Sequence, residues 1–138
     1  MPAHELQVAT QERCVLVDIT DLVRGAVRGA GWRDGAVLIS SPHTTAGITI
    51  QENADPDVRH DLLLALAQAV PDAPARGRYL HAEGNSPAHV KTALVGASQL
   101  VPLEGGDLRL GTWQGIYVCE FDGPRHRTVR LSLLAAGS

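Results

Sequence analysis

The chain is predicted to be a mixed α+β domain, in which about three helices cover a mostly antiparallel, sandwich-like β core. Apolar residues recur at helical spacing in three stretches, each opening near a Ser or Asp and two of them on a proline. Short β-branched runs separate these stretches, and the last third is divided by the turn signals Gly105-Gly106-Asp107 and Asp122-Gly123-Pro124. Runs of strands with interspersed helices, and no regular βαβ alternation, point to α+β rather than a parallel sheet.

At 138 residues the chain has the size of one domain, expected to span 1–138. Two Trp, two Tyr and one Phe leave the core to aliphatic side chains. The net charge of -3, with almost every cation an Arg and no basic stripe, gives no electrostatic footprint for nucleic acid. No apolar run approaches the length of a membrane span, and no basic-then-apolar leader opens the chain, so a cytoplasmic protein without a membrane partner is expected. Cys14 and Cys119 lie in apolar, strand-like runs and read as buried free thiols.

In chain order, Cys14 to Ile19 is a strand whose polar lead-in extends towards Leu6. Asp21 then caps a helix in which Leu22, Val23, Ala26, Val27 and Ala30 recur until Gly31. Gly35 opens a strand over Ala36 to Ser40, and Pro42 breaks it immediately before His43. Ala46 to Glu52 is the next strand, with Glu52 on the same side as Ile48 and Ile50. Asp55 followed by Pro56 starts a helix whose apolar stripe runs to Val70 and ends at Pro71. Ser86-Pro87 starts another, carrying Val90, Ala93, Leu94 and Ala97 on one side and His89 in its first turn. Strands over 100–103, 108–113, 115–121 and 128–134 complete a meander.

Residues 41–56 carry polar groups at both ends of one strand and are expected to form a wall of a site. His43, His81 and His89 each stand at the edge of an element, and imidazole favours transition metals over Mg. Their spacing matches no short ligand motif, so it leaves open both a three-histidine metal site and independent hydrogen-bonding histidines. Glu120 interrupts an apolar strand, either as a buried functional carboxylate or on the exposed face of an edge strand. Arg125 and Arg127 around a turn suit a phosphate or carboxylate, and the helix start at Ser86 could add backbone N–H donors. Trp113 could stack on a flat heterocycle or fill a core, and Thr44 and Thr45 could bond a ligand or close strand ends locally.

His43-Thr44-Thr45-Ala46, Asn53 to Val58, Tyr79-Leu80-His81, Gly84-Asn85 with Ala88-His89, Gly111 to Ile116 and Glu120 to Arg125 occur in this order. Together they resemble the YjbQ family (UPF0047), often described as secondary thiamine-phosphate synthases, over about residues 36–133. The resemblance implies a YjbQ-like α+β subunit that assembles as a homotrimer and acts on a small phosphorylated substrate. It implies coupling of hydroxymethylpyrimidine diphosphate with thiazole phosphate, releasing diphosphate. It further implies that His43, His81 and His89 hold a divalent metal, Zn or another transition metal, with Mg possible alongside diphosphate. Glu52 and Glu120 become candidate catalytic residues, and Thr44, Thr45, Asn85, Trp113 and Arg125 candidate substrate contacts. Many members carry an acid where this chain has Pro87, and Asn-Glu where it has Gln51-Glu52. Two other readings stand beside the synthase: a metal-dependent hydrolase or lyase acting on a phosphorylated small molecule, and a non-catalytic trimer that binds an anion or metal.

Overall fold

The structure, a computed structural model, describes residues 2–137. The elements run β1 (Ala3–Ala9), β2 (Val15–Asp18), α1 (Thr20–Ala30), β3 (Gly35–Ser40), β4 (Ala46–Glu52), α2 (Pro56–Ala69), α3 (Ser86–Val95), β5 (Ser98–Glu104), β6 (Asp107–Leu108), β7 (Gln114–Glu120) and β8 (His126–Ala135). They form two antiparallel sheets, one ordered β1-β8-β3-β5-β6 and one ordered β2-β7-β4. The α+β class with three helices is as expected.

Between the sheets lies an aliphatic core. β8 contributes Val129, Leu131 and Leu133, β3 contributes Val37 and Ile39, and the smaller sheet answers with Ile48, Ile116 and Val118. Ile19, Val23, Val27 and Trp32 pack into the same core from α1 and its flanks. The alternate residues of β7, Tyr117 and Cys119, point the other way and meet Leu62, Leu63 and Leu66 of α2 and Ala88 and Val95 of α3. The period of two in β7 thus serves two interfaces at once. Both cysteines are free, Cys119 fully buried and Cys14 partly so. Burial pushes the Cys119 thiol up to about 12, which makes it inert as a nucleophile.

Three local expectations are corrected. The segment before Cys14 is not an extension of the next strand but a separate one: β1 joins β8 in the large sheet, while β2 joins β7 in the small one. Asp21 is not the cap of α1. Asp18 accepts from both the amide and the hydroxyl of Thr20, and that hydroxyl in turn accepts from the Ile116 amide, which locks α1 to β7. Residues 109–113 leave the ladder after the two-residue β6, so the expected strand over 108–113 is mostly loop. By contrast Asp55 caps α2 as the sequence implies, accepting from the Asp57 amide at 2.9 Å, with Pro56 in the first turn.

Candidate functional site

The site forms where β3 stops. Ser40 pairs with Arg130, so continuing the register would set Pro42 opposite Thr128. Proline at 42 ends the ladder, and the chain turns, held by the Ser41 hydroxyl, which donates to the Ala46 carbonyl and accepts from the His43 amide. The amide of Thr128 would then lack a partner, and Nε2 of His43 accepts it at 2.9 Å. An imidazole occupies the rung where a carbonyl would have been.

Beneath that rung the sandwich is closed by a buried ion pair. Glu120, from the middle strand of the small sheet, and Arg127, from β8 of the large one, are 0% and 4% exposed. Arg127 Nε donates to Glu120 Oε1 at 2.8 Å, and Nη2 donates to Oε2. The Thr10 hydroxyl and Asp122 amide fill the remaining lone pairs of the carboxylate, and Thr45 Oγ1 accepts from Arg127 Nη2 at 2.9 Å. Burial works to raise the Glu120 pKa, but the hydrogen bonds from Arg127, Asp122 and Thr10 outweigh it and hold the carboxyl below its ordinary value. Burial, reinforced by the nearby Arg127 cation, lowers the pKa of His43.

His43 and Thr44 form one side of a cavity of about 340 Å³, and His89, Thr92, Ala93, Gly96 and Ala97 form the other. His89 and Thr92 lie three apart on α3 and so share a face, while Ala93 and Ala97 leave room for a ligand. His89 also lines an adjoining cavity of about 370 Å³ with Tyr79, His81, Ser86 and Val90. The His81 and His89 rings stand edge to face with centroids 5.3 Å apart, and Glu83 approaches His81 Nε2 at 3.5 Å. The three histidines therefore border two neighbouring hollows, with His89 lining both.

Other expected site residues are placed elsewhere or already engaged. Glu52 and Trp113 sit at the far end of β4, roughly 20 Å from the His43 end by strand rise, where the Asn53 amide donates to the Trp113 carbonyl. Glu52 Oε2 is buried there without a partner, and Trp113 is 63% exposed. Within one chain neither reaches the histidines. Glu120, expected as a candidate catalytic residue, belongs to the sealed ion pair, where it positions Arg127 and the turn after β7, and Thr45 is held in the same network. Arg125 is folded back, donating from Nε to the Asp122 carbonyl at 2.8 Å and from Nη2 to its carboxylate at 2.9 Å. Asn85 Nδ2 donates to that carboxylate as well, so Asn85 and Arg125 brace the loop before α3 against the β7–β8 turn. Although burial opposes it, these two hydrogen bonds keep the Asp122 pKa low.

The start of α3 is a poorer anion site than expected. Pro87 has no N–H, and the Ala88 and His89 amides both donate to the Asn85 carbonyl. The expected metal set does not close either. His43 has committed Nε2 to Thr128, which puts its proton on Nδ1 and leaves no lone pair for an ion. Among the described residues no three His, Cys, Asp or Glu side chains are grouped to hold a metal. The wall formed by Thr92, Ala93, Gly96 and Ala97 went unread in the sequence. Its one local signal was Thr92, a helical turn beyond His89.

Comparison with known proteins gives a consistent result. A family model described as UPF0047 protein YjbQ-like matches residues 4–136. The UPF0047 protein YugU of Bacillus subtilis is 51% identical over 94% of this chain and 96% of its own length. A UPF0047 protein of Methanocaldococcus jannaschii is 46% identical over 93% of this chain and 91% of its own. The crystal structure of a YjbQ/UPF0047-family protein from Clostridium acetobutylicum, 50% identical, superimposes with a TM-score of 0.89 and covers 95% of this chain and 99% of that one. A hypothetical protein of Aeropyrum pernix, 31% identical, gives a TM-score of 0.90 over 99% of this chain and 100% of its own.

Proposed function

The chain belongs to the UPF0047 YjbQ-like family, and from that premise we propose that it is a thiamine-phosphate synthase-like transferase working in the cleft between His43 and α3. The reaction joins hydroxymethylpyrimidine diphosphate to thiazole phosphate. The thiazole nitrogen supplies the electron pair of the new C–N bond, the bond from the pyrimidine methylene to oxygen breaks, and diphosphate leaves with that bond's electrons. Charge grows on the leaving oxygens, so donors aimed at them lower the barrier. The observation that carries this reading is the set of three imidazoles lining two neighbouring hollows, with His89 common to both. A small-residue wall at Ala93 and Ala97 suits a flat heterocycle beside those rings. No step is assigned to a metal, because His43 lacks a free lone pair for one.

Incubating the protein with both precursors and quantifying thiamine phosphate and diphosphate tests the proposal. Matched release of the two products supports it. Release of phosphate from a precursor without coupling would point instead to a hydrolase, and binding without turnover to an anion-binding protein. In His89→Ala we expect coupling to fall by about 100-fold or more, the usual contribution of a group that moves a proton or stabilises charge in the transition state. Because His89 is only partly buried, in the first turn of α3, its melting temperature should stay close to that of the parent. A parallel loss of stability would reassign His89 to the fold.

A further inference from the structure

We propose that His43 is a fixed neutral hydrogen-bond donor, which presents Nδ1–H to a phosphoryl oxygen in the cavity shared with His89. The inference rests on the reading of that cavity as a phosphate-ester site and gives one of its residues a protonation state and a direction.

The tautomer follows from the sheet. Along β8 the amide of Leu133 faces β1, donating to the Pro2 carbonyl, so those of Thr128, Arg130 and Ser132 face β3. Past Ser40 that side of β8 has no backbone acceptor, and Nε2 of His43 fills the gap at 2.9 Å. A backbone N–H can only donate. The nitrogen it meets must carry a lone pair, so the ring proton sits on Nδ1. Protonating Nε2 as well would set two N–H groups against each other, within the field of Arg127, and only Glu120, already spent on Arg127, offers a compensating charge. Burial is the main cause that lowers the His43 pKa, with the Arg127 and Arg125 cations adding to it, so the assignment of the proton to Nδ1 stands on the hydrogen-bond geometry.

Nδ1 makes no hydrogen bond within the described residues, and it is not among their sealed, unpaired polar atoms. It is therefore the ring nitrogen left for a ligand. A neutral donor held in place suits an oxygen that gains charge as a bond to phosphorus-bearing oxygen breaks, since it neither gives up its proton to bulk water nor needs reorienting. The same tautomer disfavours a cation at Nδ1, where the proton would meet the ion.

Two-bond 1H–15N correlation spectra of the 15N-labelled full chain test the assignment, with the His43 signals identified by their disappearance in His43→Leu. At neutral pH the expected pattern is a protonated Nδ1 and an unprotonated Nε2. Adding inorganic diphosphate should shift Nδ1–H, while equimolar Zn should leave both His43 nitrogens unmoved. His43→Leu should weaken diphosphate binding by about 10-fold or more, the scale of a hydrogen bond to a charged group. An Nε2-protonated tautomer, or a Zn-dependent change at Nδ1, overturns the role given to His43 while leaving the site itself intact. Diphosphate that shifts no imidazole overturns the phosphate-site reading, and the donor role with it.

Discussion

Glu120→Ala should destabilise the protein by about 3–5 kcal/mol, because it leaves the Arg127 guanidinium buried and uncompensated. A loss of that size lowers the melting temperature by roughly 10 °C or more in a chain of this length. Thr10 and the Asp122 amide lose their acceptor in the same stroke, so β1 and the turn after β7 loosen together. Replacing both partners, as Glu120→Leu with Arg127→Met, should recover most of the stability, since no buried charge is then stranded. The pH dependence has a defined sign. The folded pKa of Glu120 lies below its unfolded value of about 4.3, so the stabilisation is fully present above that pH and disappears as pH falls through the folded pKa. Calorimetry from neutral pH into the acid range checks this, and an unchanged acid limb in the double variant would refute the assignment.

Gly47→Ala is the second large effect, and it acts on stability and site together. A Cβ at Gly47 would lie 2.6 Å from the Gly96 carbonyl oxygen and 3.3 Å from Val95 Cγ1. That carbonyl accepts from the Ile48 amide and is part of the backbone that leads into the cavity wall at Gly96 and Ala97. Backbone cannot step aside as a flexible side chain would, so the cost is about 1–3 kcal/mol, typical of overpacking. The displaced wall should also reduce turnover by up to about 100-fold, the penalty for misplacing reacting groups by roughly 1 Å. Gly25→Ala in α1 is the matched control: nothing lies within 4 Å of its Cβ, and it should be neutral or stabilising by up to about 1 kcal/mol. Equal melting temperatures for Gly47→Ala and the parent would show that β4 and the end of α3 are not locked.

How far the sequence reached depended on whether a feature was local. Asp55-Pro56 announced α2 because cap and first turn are adjacent residues, and Pro42 announced the end of β3 for the same reason. β1 was missed as a separate strand because its partner, β8, lies more than a hundred residues away, and only that pairing shows the chain changing sheets between Ala9 and Val15. The Glu120–Arg127 pair was illegible although its members lie only seven residues apart. Each charge falls on the core-facing parity of its own strand, with Ile116 and Val118 or with Val129 and Leu131, but nothing local says that β7 and β8 belong to different sheets and face each other across the sandwich. Parity put Glu52 on the same side as the isoleucines without telling which end of the strand bore the site, and the histidines gathered at the other. Arg125 looked like an anion ligand from its neighbours, while its actual partner, Asp122, was already within that turn.

The Thr128 amide can serve as a built-in reporter. An amide at the frayed end of a ladder normally trades its hydrogen for deuterium quickly, whereas this one is shielded by a ring. Its exchange rate therefore reads how firmly the imidazole is seated, without any substrate, and slower exchange on ligand addition would mean that filling the cavity also tightens the sheet.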